Sequence, residues 1–207
     1  YFNSGNSGGC RPKCLWHDRE GAWLVKFRHT YDPKDIGRME YKYNEVARKC
    51  GINVPDYKLL DGKYFASKRF DIENGKRLHI ATAGALLNES ISNPKLDYKV
   101  LLHLTGYLTQ DSQQVDEMFQ RMVFNVLTDN KDDHVKNFSF ICREGKWSLA
   151  PAYDLTLCKE GYHGEHATSA NNKGNPDIED MLAVGESIRI PRRKGMEIIN
   201  HMINHCQ

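Results

Sequence analysis

Acidic, amide and imidazole side chains are concentrated between residues 130 and 137, where the chain reads N-K-D-D-H-V-K-N. Asn137, and Asp154 further along, carry hard oxygen donors, which suit Mg²⁺ better than Zn²⁺. Asp132, five residues before Asn137, is placed to accept the proton of a hydroxyl nucleophile. A positioned base beside two oxygen ligands for a metal ion is the arrangement that phosphoryl transfer needs.

The flanking residues predict how these side chains are brought together. Before them, apolar residues recur at the spacing of one face of a helix, namely Val115, Met118, Phe119, Met122, Val123, Val126 and Leu127. After them, residues 138–142 and 147–150 read as two strands joined by a short connection that contains Gly145. Because a hairpin folds back on itself, Asn137 before it and Asp154 after it are expected to lie close together. A polar loop whose Asp and Asn side chains cap turns is the alternative.

The first part of the chain supplies candidate groups for phosphate. Glycines such as Gly8 and Gly9 let backbone amides approach a phosphate closely, although a flexible terminus explains the same run. Residues 14–17 and 22–27 predict a strand pair in which Lys26 shares a face with apolar residues, so it needs an anionic partner. A predicted helix over 39–50, ended by Gly51, offers Glu40 and Glu45 as that partner.

Several of these motifs resemble those of the HipA family, bacterial serine/threonine kinases that act as toxins in toxin–antitoxin pairs. The resemblance is carried by N-x-D-D-H-x-K-N-x-S-F, by W-x-L-x-P-A-Y-D-L, by the Gly-rich run that ends in R-P-K, and by G-I-x-V-P and K-R-F-D. It implies an α+β, two-lobed protein-kinase-like fold. The expected lobes are a β-rich N-lobe over residues 1–71 and a mostly helical C-lobe over 72–207.

The resemblance also implies ATP and Mg²⁺ as cofactors and a role for each candidate residue. Asp132 would be the catalytic base, and Asn137 and Asp154 the Mg²⁺ ligands. Lys26 would hold the α and β phosphates and pair with Glu40, chosen over Glu45 by alignment to the family pattern. The other expected nucleotide-binding residues are Gly8, Gly9 and Lys13 over the phosphates, Lys68 and Phe70 at an adenine-binding hinge, and His134 and Lys136 in the catalytic loop.

The family likeness further implies partners. The substrate would be a serine or threonine of another protein, with aminoacyl-tRNA synthetases as the known theme, and a HipB-like DNA-binding antitoxin would bind the chain. The N-lobe segment that full-length HipA proteins carry before the Gly-rich loop is not in this sequence, so a separate subunit is a candidate to complete the lobe. The serine that some members autophosphorylate falls at Asn6, between Ser4 and Ser7, which leaves regulation by that serine open.

Composition and net charge limit the classes of partner and the cellular compartment that the sequence favours. The chain has 207 residues and a net charge of +2, which gives no indication of nucleic-acid or membrane binding. Its six cysteines lack C-x-x-C pairs, which favours reduced thiols and a cytoplasmic protein. No apolar run approaches the ~20 residues that span a bilayer. The alternatives are a phosphoesterase with Asp132, Asp133 and His134 on two ions, a lipid kinase, and a non-catalytic nucleotide- or antitoxin-binding remnant.

The second half predicts helices around the catalytic hairpin, with residues 71–75 as a polar link between lobes. A helix over 97–108 would bury Val100, Leu101, Leu104 and Leu108. Residues 159–175 predict a long functional loop in which His163 and His166 are weak metal candidates. Asn175 and Pro176 predict the start of a helix over 178–184, and Pro191 opens a last helix to about residue 205.

Overall fold

The computed structural model describes residues 11–90 and 96–206. An antiparallel four-stranded sheet in the order β1-β2-β4-β3 opens the fold. Its strands are β1 (Lys13–Asp18), β2 (Gly21–Lys26), β3 (Tyr57–Leu60) and β4 (Tyr64–Lys68). The strand that carries Lys26, β2, therefore lies inside the sheet between β1 and β4. The β3–β4 turn is made by Asp61 and Gly62, both with positive φ, the conformation that a D-G dipeptide favours in a hairpin.

Helix α1 (Ile36–Lys49) connects β2 to β3 and packs against β3 and β4. It begins three residues before the predicted start at Met39, and it ends as predicted, with Gly51 in the left-handed region at φ +84°. Its last turn contributes Ala47 and Cys50 to the large apolar core of the chain. The sulfur atoms of Cys50 and Cys206, at the end of the last helix, are 3.4 Å apart.

A second, three-stranded antiparallel sheet has the order β7-β8-β9. It contains β7 (His79–Thr82), β8 (Ser139–Arg143) and β9 (Lys146–Leu149), while β5 (Ile72–Glu73) and β6 (Lys76–Arg77) form a separate small hairpin. The catalytic hairpin β8–β9 is confirmed. The expectation of a plain polar link followed only by helices was wrong, because residues 72–82 form three short strands.

The remaining helices are α2 (Ala83–Leu87), α3 (Tyr98–Thr109), α4 (Ser112–Leu127), α5 (Ile178–Ser187) and α6 (Arg192–His205). Two details correct the sequence analysis. Val100 is exposed, and α3 instead buries Tyr98, Leu101, Leu102 and Thr105. The cap of α5 is Asp177, in a capping box with Asp180, and not Asn175.

Apolar side chains form two buried clusters. The smaller one joins Trp23, Val25 and Ala66 within the four-stranded sheet. The larger one is built on the inner face of α4, including Phe119 and Met122, and extends to α3, α5, α6 and the catalytic hairpin. Among the described residues, no helix is long and apolar enough to cross a membrane. The predicted catalytic loop therefore begins at the end of α4, a helix that packs against other elements on several sides.

Candidate active site

The loop between α4 and β8 separates two neighbouring aspartates. Asp133 is 1 % exposed, whereas the side chain of Asp132 is 51 % exposed. Asp133 accepts hydrogen bonds from the Tyr98 hydroxyl (2.7 Å) and from the Thr168 N–H (3.3 Å), and its Oδ2 lies 3.0 Å from Nδ1 of His166. Asp133 therefore anchors the loop, and Asp132 is left facing the open side.

Asp132 has the environment of a base rather than of a plain surface carboxylate. Although half of its side chain meets solvent, the surrounding protein partly desolvates it, and this burial raises its pKa. The charges of Asp154 and Asp133 act in the same direction, while His134, whose Nε2 is 3.8 Å from Asp132 Oδ1, lowers the pKa. A raised pKa makes Asp132 a better proton acceptor than an ordinary aspartate once it is ionised.

Asn137 is oriented by the loop itself. Its side-chain N–H₂ donates to the backbone carbonyl of Asp132 over 2.7 Å, which leaves the amide oxygen for another ligand. The Tyr153 hydroxyl donates to the carbonyl of Lys136 over 2.6 Å and contacts Ser139 Oγ. This contact holds the residue before Asp154 against the residue before Asn137, so the two predicted metal ligands lie on adjoining segments.

Lys26 joins the first sheet to this loop region. Its ammonium contacts the carboxylates of both Glu40 and Asp154, so the predicted pairing with Glu40 is present. Burial alone would lower the pKa of Lys26, but the two carboxylates outweigh it and the pKa is raised. Burial likewise opposes ionisation of Asp154, yet Lys26 holds its pKa below the ordinary value. Lys26 and Asp154 are therefore both charged near neutral pH.

Glu40 has a second cationic neighbour. The carboxylate is 2 % exposed, and its Oε2 lies 3.6 Å from the Arg11 guanidinium, which also contacts Asp32 over 3.1 Å. Lys13 is the register partner of Lys26 on β1, and its charge further lowers the pKa of Asp154. Arg11, Lys13 and Lys26 therefore place positive charge around the carboxylates of Glu40 and Asp154.

The donor set fits Mg²⁺ with few protein ligands. Asp154 supplies a carboxylate and Asn137 an amide oxygen, and no group of three His, Cys, Asp or Glu side chains within residues 11–90 and 96–206 is arranged to hold a metal ion. Mg²⁺ keeps several waters and commonly binds through one or two protein oxygens together with substrate phosphates. Both His163, which is exposed, and His166, which is bonded to Asp133, lie outside such a site.

The residues predicted to bind adenine at the hinge, Lys68 and Phe70, have different environments in the structure. The backbone N–H of Lys68 donates to the carbonyl of Asp56 over 2.7 Å, so any adenine contact from this residue falls to its carbonyl oxygen. The ring of Phe70 stacks on Tyr153, with centroids 5.6 Å apart, and thus forms a wall directly beside Asp154. Lys136 is exposed on the catalytic loop. Gly8 and Gly9, like Ser4 and Ser7, lie outside the described residues.

Comparison with known proteins agrees with this geometry. The model of the HipA-like C-terminal domain family matches residues 5–207. The chain belongs to this family. Putative kinase Y4dM of Sinorhizobium fredii is 27 % identical over 169 residues, which are 73 % of this chain and 41 % of Y4dM.

Two solved structures share the fold of this HipA-like chain. HipA of Shewanella oneidensis MR-1, solved with HipB and operator DNA, matches with a TM-score of 0.80 at 19 % identity, over 97 % of this chain and 56 % of that one. The Helicobacter pylori proinflammatory kinase CtkA matches with a TM-score of 0.59 at 14 % identity, over 94 % and 89 %. The fold is therefore kinase-like, and the chain spans about half or less of Y4dM and of HipA.

Some residues that support the HipA-like site were missed by sequence reasoning. Asp133 was considered only as an ion ligand, and His166 only as a weak metal candidate, yet each is the other's buried partner. Arg11, read only as part of the R-P-K motif, contacts Glu40. Tyr153 lies inside the P-A-Y-D-L motif that carries the family resemblance, and a tyrosine with a hydroxyl donor directly before a predicted metal ligand is a signal that was available.

Proposed function

We propose that the chain is a HipA-like, ATP-dependent serine/threonine protein kinase, the toxin of a toxin–antitoxin pair. The observation that carries the proposal is that Lys26 contacts both Glu40 and Asp154, while Asp132 lies near enough to Asp154 for that carboxylate to raise its pKa. In a kinase, one lysine holds the nucleotide phosphates, a helix glutamate holds the lysine, and an aspartate beside them binds the metal ion. Binding of Mg²⁺–ATP would redirect Lys26 from Asp154 towards phosphate.

The proposed reaction transfers the γ-phosphoryl group to a hydroxyl of another protein. Asp132 accepts the hydroxyl proton as the oxygen bonds to the γ-phosphorus, and the bond between that phosphorus and the bridging oxygen of ADP breaks. Asn137 and Asp154 would hold Mg²⁺, which neutralises charge on the phosphates. Lys26, Lys13 and Arg11 add positive charge at the same end of the cleft, and Phe70 offers an apolar face to adenine.

The partners follow from the relatives and are part of the proposal. The Shewanella relative was solved with HipB and operator DNA, which supports a HipB-like antitoxin for this chain. An aminoacyl-tRNA synthetase is the proposed kind of substrate, and a cytoplasmic location fits both partners. A separate subunit that completes the N-lobe is a further proposed partner.

The two-ion phosphoesterase alternative receives no support from the loop geometry. It required Asp133 to face a metal ion next to Asp132, but Asp133 is buried with its oxygens hydrogen-bonded to Tyr98 and Thr168. Asp132, Asp133 and His134 therefore cannot bind the same pair of metal ions in this loop conformation. The lipid-kinase alternative shares the catalytic loop, and a basic or membrane-adsorbing surface would be needed to favour it.

The test is binding followed by transfer in one preparation. Titration calorimetry with a non-hydrolysable ATP analogue should give binding that depends on Mg²⁺, and γ-labelled ATP should then label serine or threonine of a protein. Asp132→Asn should keep nucleotide binding and lose transfer by a factor of about 10³ or more, whereas Asp154→Asn should weaken the Mg²⁺-dependent part of binding. Asp129→Asn, a half-exposed position on the same loop, is the matched control and should behave as wild type.

The possible results separate the alternatives. Transfer by the Asp132→Asn variant at the wild-type rate would refute the proposed base. Binding without transfer in the wild-type chain would support a non-catalytic nucleotide-binding protein or a kinase that needs a separate subunit for transfer. No nucleotide binding at all would refute the kinase proposal for this chain.

A further inference from the structure

A small cavity lies under the catalytic loop, between α4 and the segment that leaves β9. It has about 10 Å³ open to the centre of a water molecule and is lined by Arg121, Asn130, Asp133, Asn137 and Tyr153, among others. A cavity needs roughly 10–15 Å³ by this measure to hold one water. The space therefore admits one molecule of that size and nothing larger.

Two buried polar atoms in the lining of this cavity need a partner. Within residues 11–90 and 96–206, no hydrogen bond is made by Nε of Arg121 or by Oδ1 of Asn130, although both residues are almost completely buried. The guanidinium of Arg121 is otherwise engaged through Nη2, which donates to the carbonyl of Ala150 over 2.8 Å. Buried polar groups in native proteins are nearly always paired, with water if not with protein.

The orientation of the Asn130 amide is fixed by a chain of hydrogen bonds. Asp133 accepts from the Tyr98 hydroxyl, whose oxygen accepts from the side-chain N–H₂ of Asn125 over 2.9 Å. The oxygen of Asn125 then accepts from the N–H₂ of Asn130 over 2.8 Å. Turning the Asn130 amide around would bring two carbonyl oxygens together. The group that faces the cavity is therefore an acceptor, the Asn130 oxygen.

Among the described residues, the lining thus has one unpaired donor, the Arg121 Nε–H, and one unpaired acceptor, the Asn130 oxygen. A metal cation cannot accept the hydrogen bond of Arg121 Nε–H, and a simple anion cannot donate to Asn130. Only a small neutral molecule that both accepts and donates satisfies the two groups.

We propose that this cavity is a binding site for a single ordered water molecule, which accepts from Arg121 and donates to Asn130. The water connects α4 to the catalytic loop two residues before Asp132, beside Asn137. It would be a structural part of the loop, independent of whether the chain is a kinase. Such waters make about three hydrogen bonds and exchange slowly with solvent.

A crystal structure of the full chain that resolves ordered waters provides the first test. Electron density for a water should lie within hydrogen-bond distance, roughly 2.7–3.2 Å, of both Arg121 Nε and Asn130 Oδ1. A direct hydrogen bond between those two atoms, or a site without density, would overturn the proposal. In solution, the Arg121 Hε resonance should show a cross-relaxation peak with water, and absence of that peak would equally refute it.

Oxygen-17 relaxation dispersion of the solvent provides the second test, because it counts water molecules that remain bound longer than the protein takes to tumble. Asn130→Val removes the acceptor and should reduce the dispersion amplitude by the contribution of one water. Thr105→Val, which removes a buried hydroxyl that bonds within α3, should leave it unchanged. An unchanged amplitude in Asn130→Val would contradict the proposal, and if that variant does not fold, the wild-type density and the Arg121 peak decide the question.

Discussion

At the scale of single residues, Asp132 and Asp133 show how one loop gives two aspartates opposite tasks. Asp133 is enclosed by Tyr98, His166 and Thr168, so its hydrogen bonds hold the backbone in place. Asp132 keeps half of its side chain in the cleft and receives a raised pKa. The D-D pair identifies the loop, but only the partners of Asp133, which lie 33 to 35 residues away along the chain, decide which aspartate points outward.

The pH dependence of phosphoryl transfer should report the environment of Asp132. A base must be ionised, so the rate is expected to fall as the pH drops through the raised pKa of Asp132, above the ordinary value of about 3.9. The charge of the neighbouring His134 imidazole lowers the pKa of Asp132. His134→Gln should therefore move the acidic limb of the kcat/KM profile to higher pH. His103→Gln, an exposed change on α3, should leave the limb in place, and an unmoved limb in the His134 variant would contradict the assignment.

Lys26→Met should destabilise the fold in a pH-dependent way. The raised pKa of Lys26 means that its charge contributes stability below about pH 10.4, and this contribution is lost as the pH rises through the raised value. The lowered pKa of Asp154 contributes above about pH 3.9 and is lost as the pH falls through the lowered value. The variant leaves the buried Glu40 carboxylate without its closest described cation, although Arg11 stays 3.6 Å away, and the chain should lose about 3 kcal/mol of stability between about pH 3.9 and about pH 10.4.

The Tm difference between wild type and Lys26→Met, measured from pH 3 to pH 8, tests this expectation. The difference should shrink at the acid end, where Asp154 becomes protonated and its attraction to Lys26 is lost. Lys173→Met breaks the contact of a half-exposed lysine with Asp180, and it should cost less than about 1 kcal/mol. A Tm difference that stays constant over the whole range would mean that Lys26 acts by packing and not by charge.

At the scale of secondary structure, the sequence predicts the elements whose signals are local. Helix α4 and hairpin β8–β9 were found because the apolar spacing and Gly145 lie within one continuous stretch. Strand β7 was missed because its partner is β8, about 60 residues further on, and four residues with two polar ones give no periodicity. The small β5–β6 hairpin had a readable signal, Asn74-Gly75 with both φ values positive.

Asn175 was the wrong prediction for the start of α5, and the reason is physical. Asn175-Pro176 and Asp177 are both acceptable starts for α5, and the sequence alone does not rank them. In the structure, the oxygen of Asn175 accepts from the Lys131 ammonium over 2.8 Å, while Asp177 and Asp180 exchange hydrogen bonds across the first turn. Because the Asn175 side chain is engaged by Lys131, the N-cap of α5 is Asp177, the next polar residue.

Two helix glycines should respond in opposite ways to alanine because of what surrounds them. A Cβ on Gly37, at the start of α1, would lie 2.0 Å from the carbonyl oxygen of Lys63 in the β3–β4 turn. Gly37→Ala should push α1 away from that turn, displace Glu40 from Lys26, and cost about 1–3 kcal/mol. A Cβ on Gly106, in α3, meets only Val115 at 3.4 Å, so Gly106→Ala should stabilise by about 0.5–1 kcal/mol.

Denaturant unfolding of the two alanine variants gives the stability changes, and the label-transfer assay reports the position of Glu40. Loss of transfer in Gly37→Ala with wild-type transfer in Gly106→Ala is the expected pattern. Equal stability changes of the same sign would show that the close approach of α1 to the turn at Lys63 is not maintained in solution.

At the scale of the whole molecule, the first sheet is joined to the large core mainly through α1. Ala47 and Cys50 belong to the large apolar cluster, and the Tyr43 ring packs edge-on against Phe124 of α4. The free cysteine Cys50 also meets Cys206 after α6, although the two are 156 residues apart in the chain. The spacing of cysteines in the sequence gave no indication of this pair, because tertiary packing alone brings them together.

This thiol pair predicts how the fold responds to oxidation. With glutathione disulfide as oxidant, the thiols of Cys50 and Cys206 should lose two protons and two electrons to form a disulfide, while the oxidant is reduced to two glutathione thiols. Burial raises the pKa of both groups, that of Cys206 to about 12, so the reaction should be slow at neutral pH and faster as the pH rises. Closing so long a loop should raise the free energy of unfolding by up to about 5 kcal/mol. Without reductant, mass spectrometry should find the loss of two hydrogen atoms, and thermal unfolding should give a higher Tm. Both changes should be absent in Cys50→Ser and retained in Cys142→Ser. A Cys50→Ser chain that gains the same stability would show that the pair does not react.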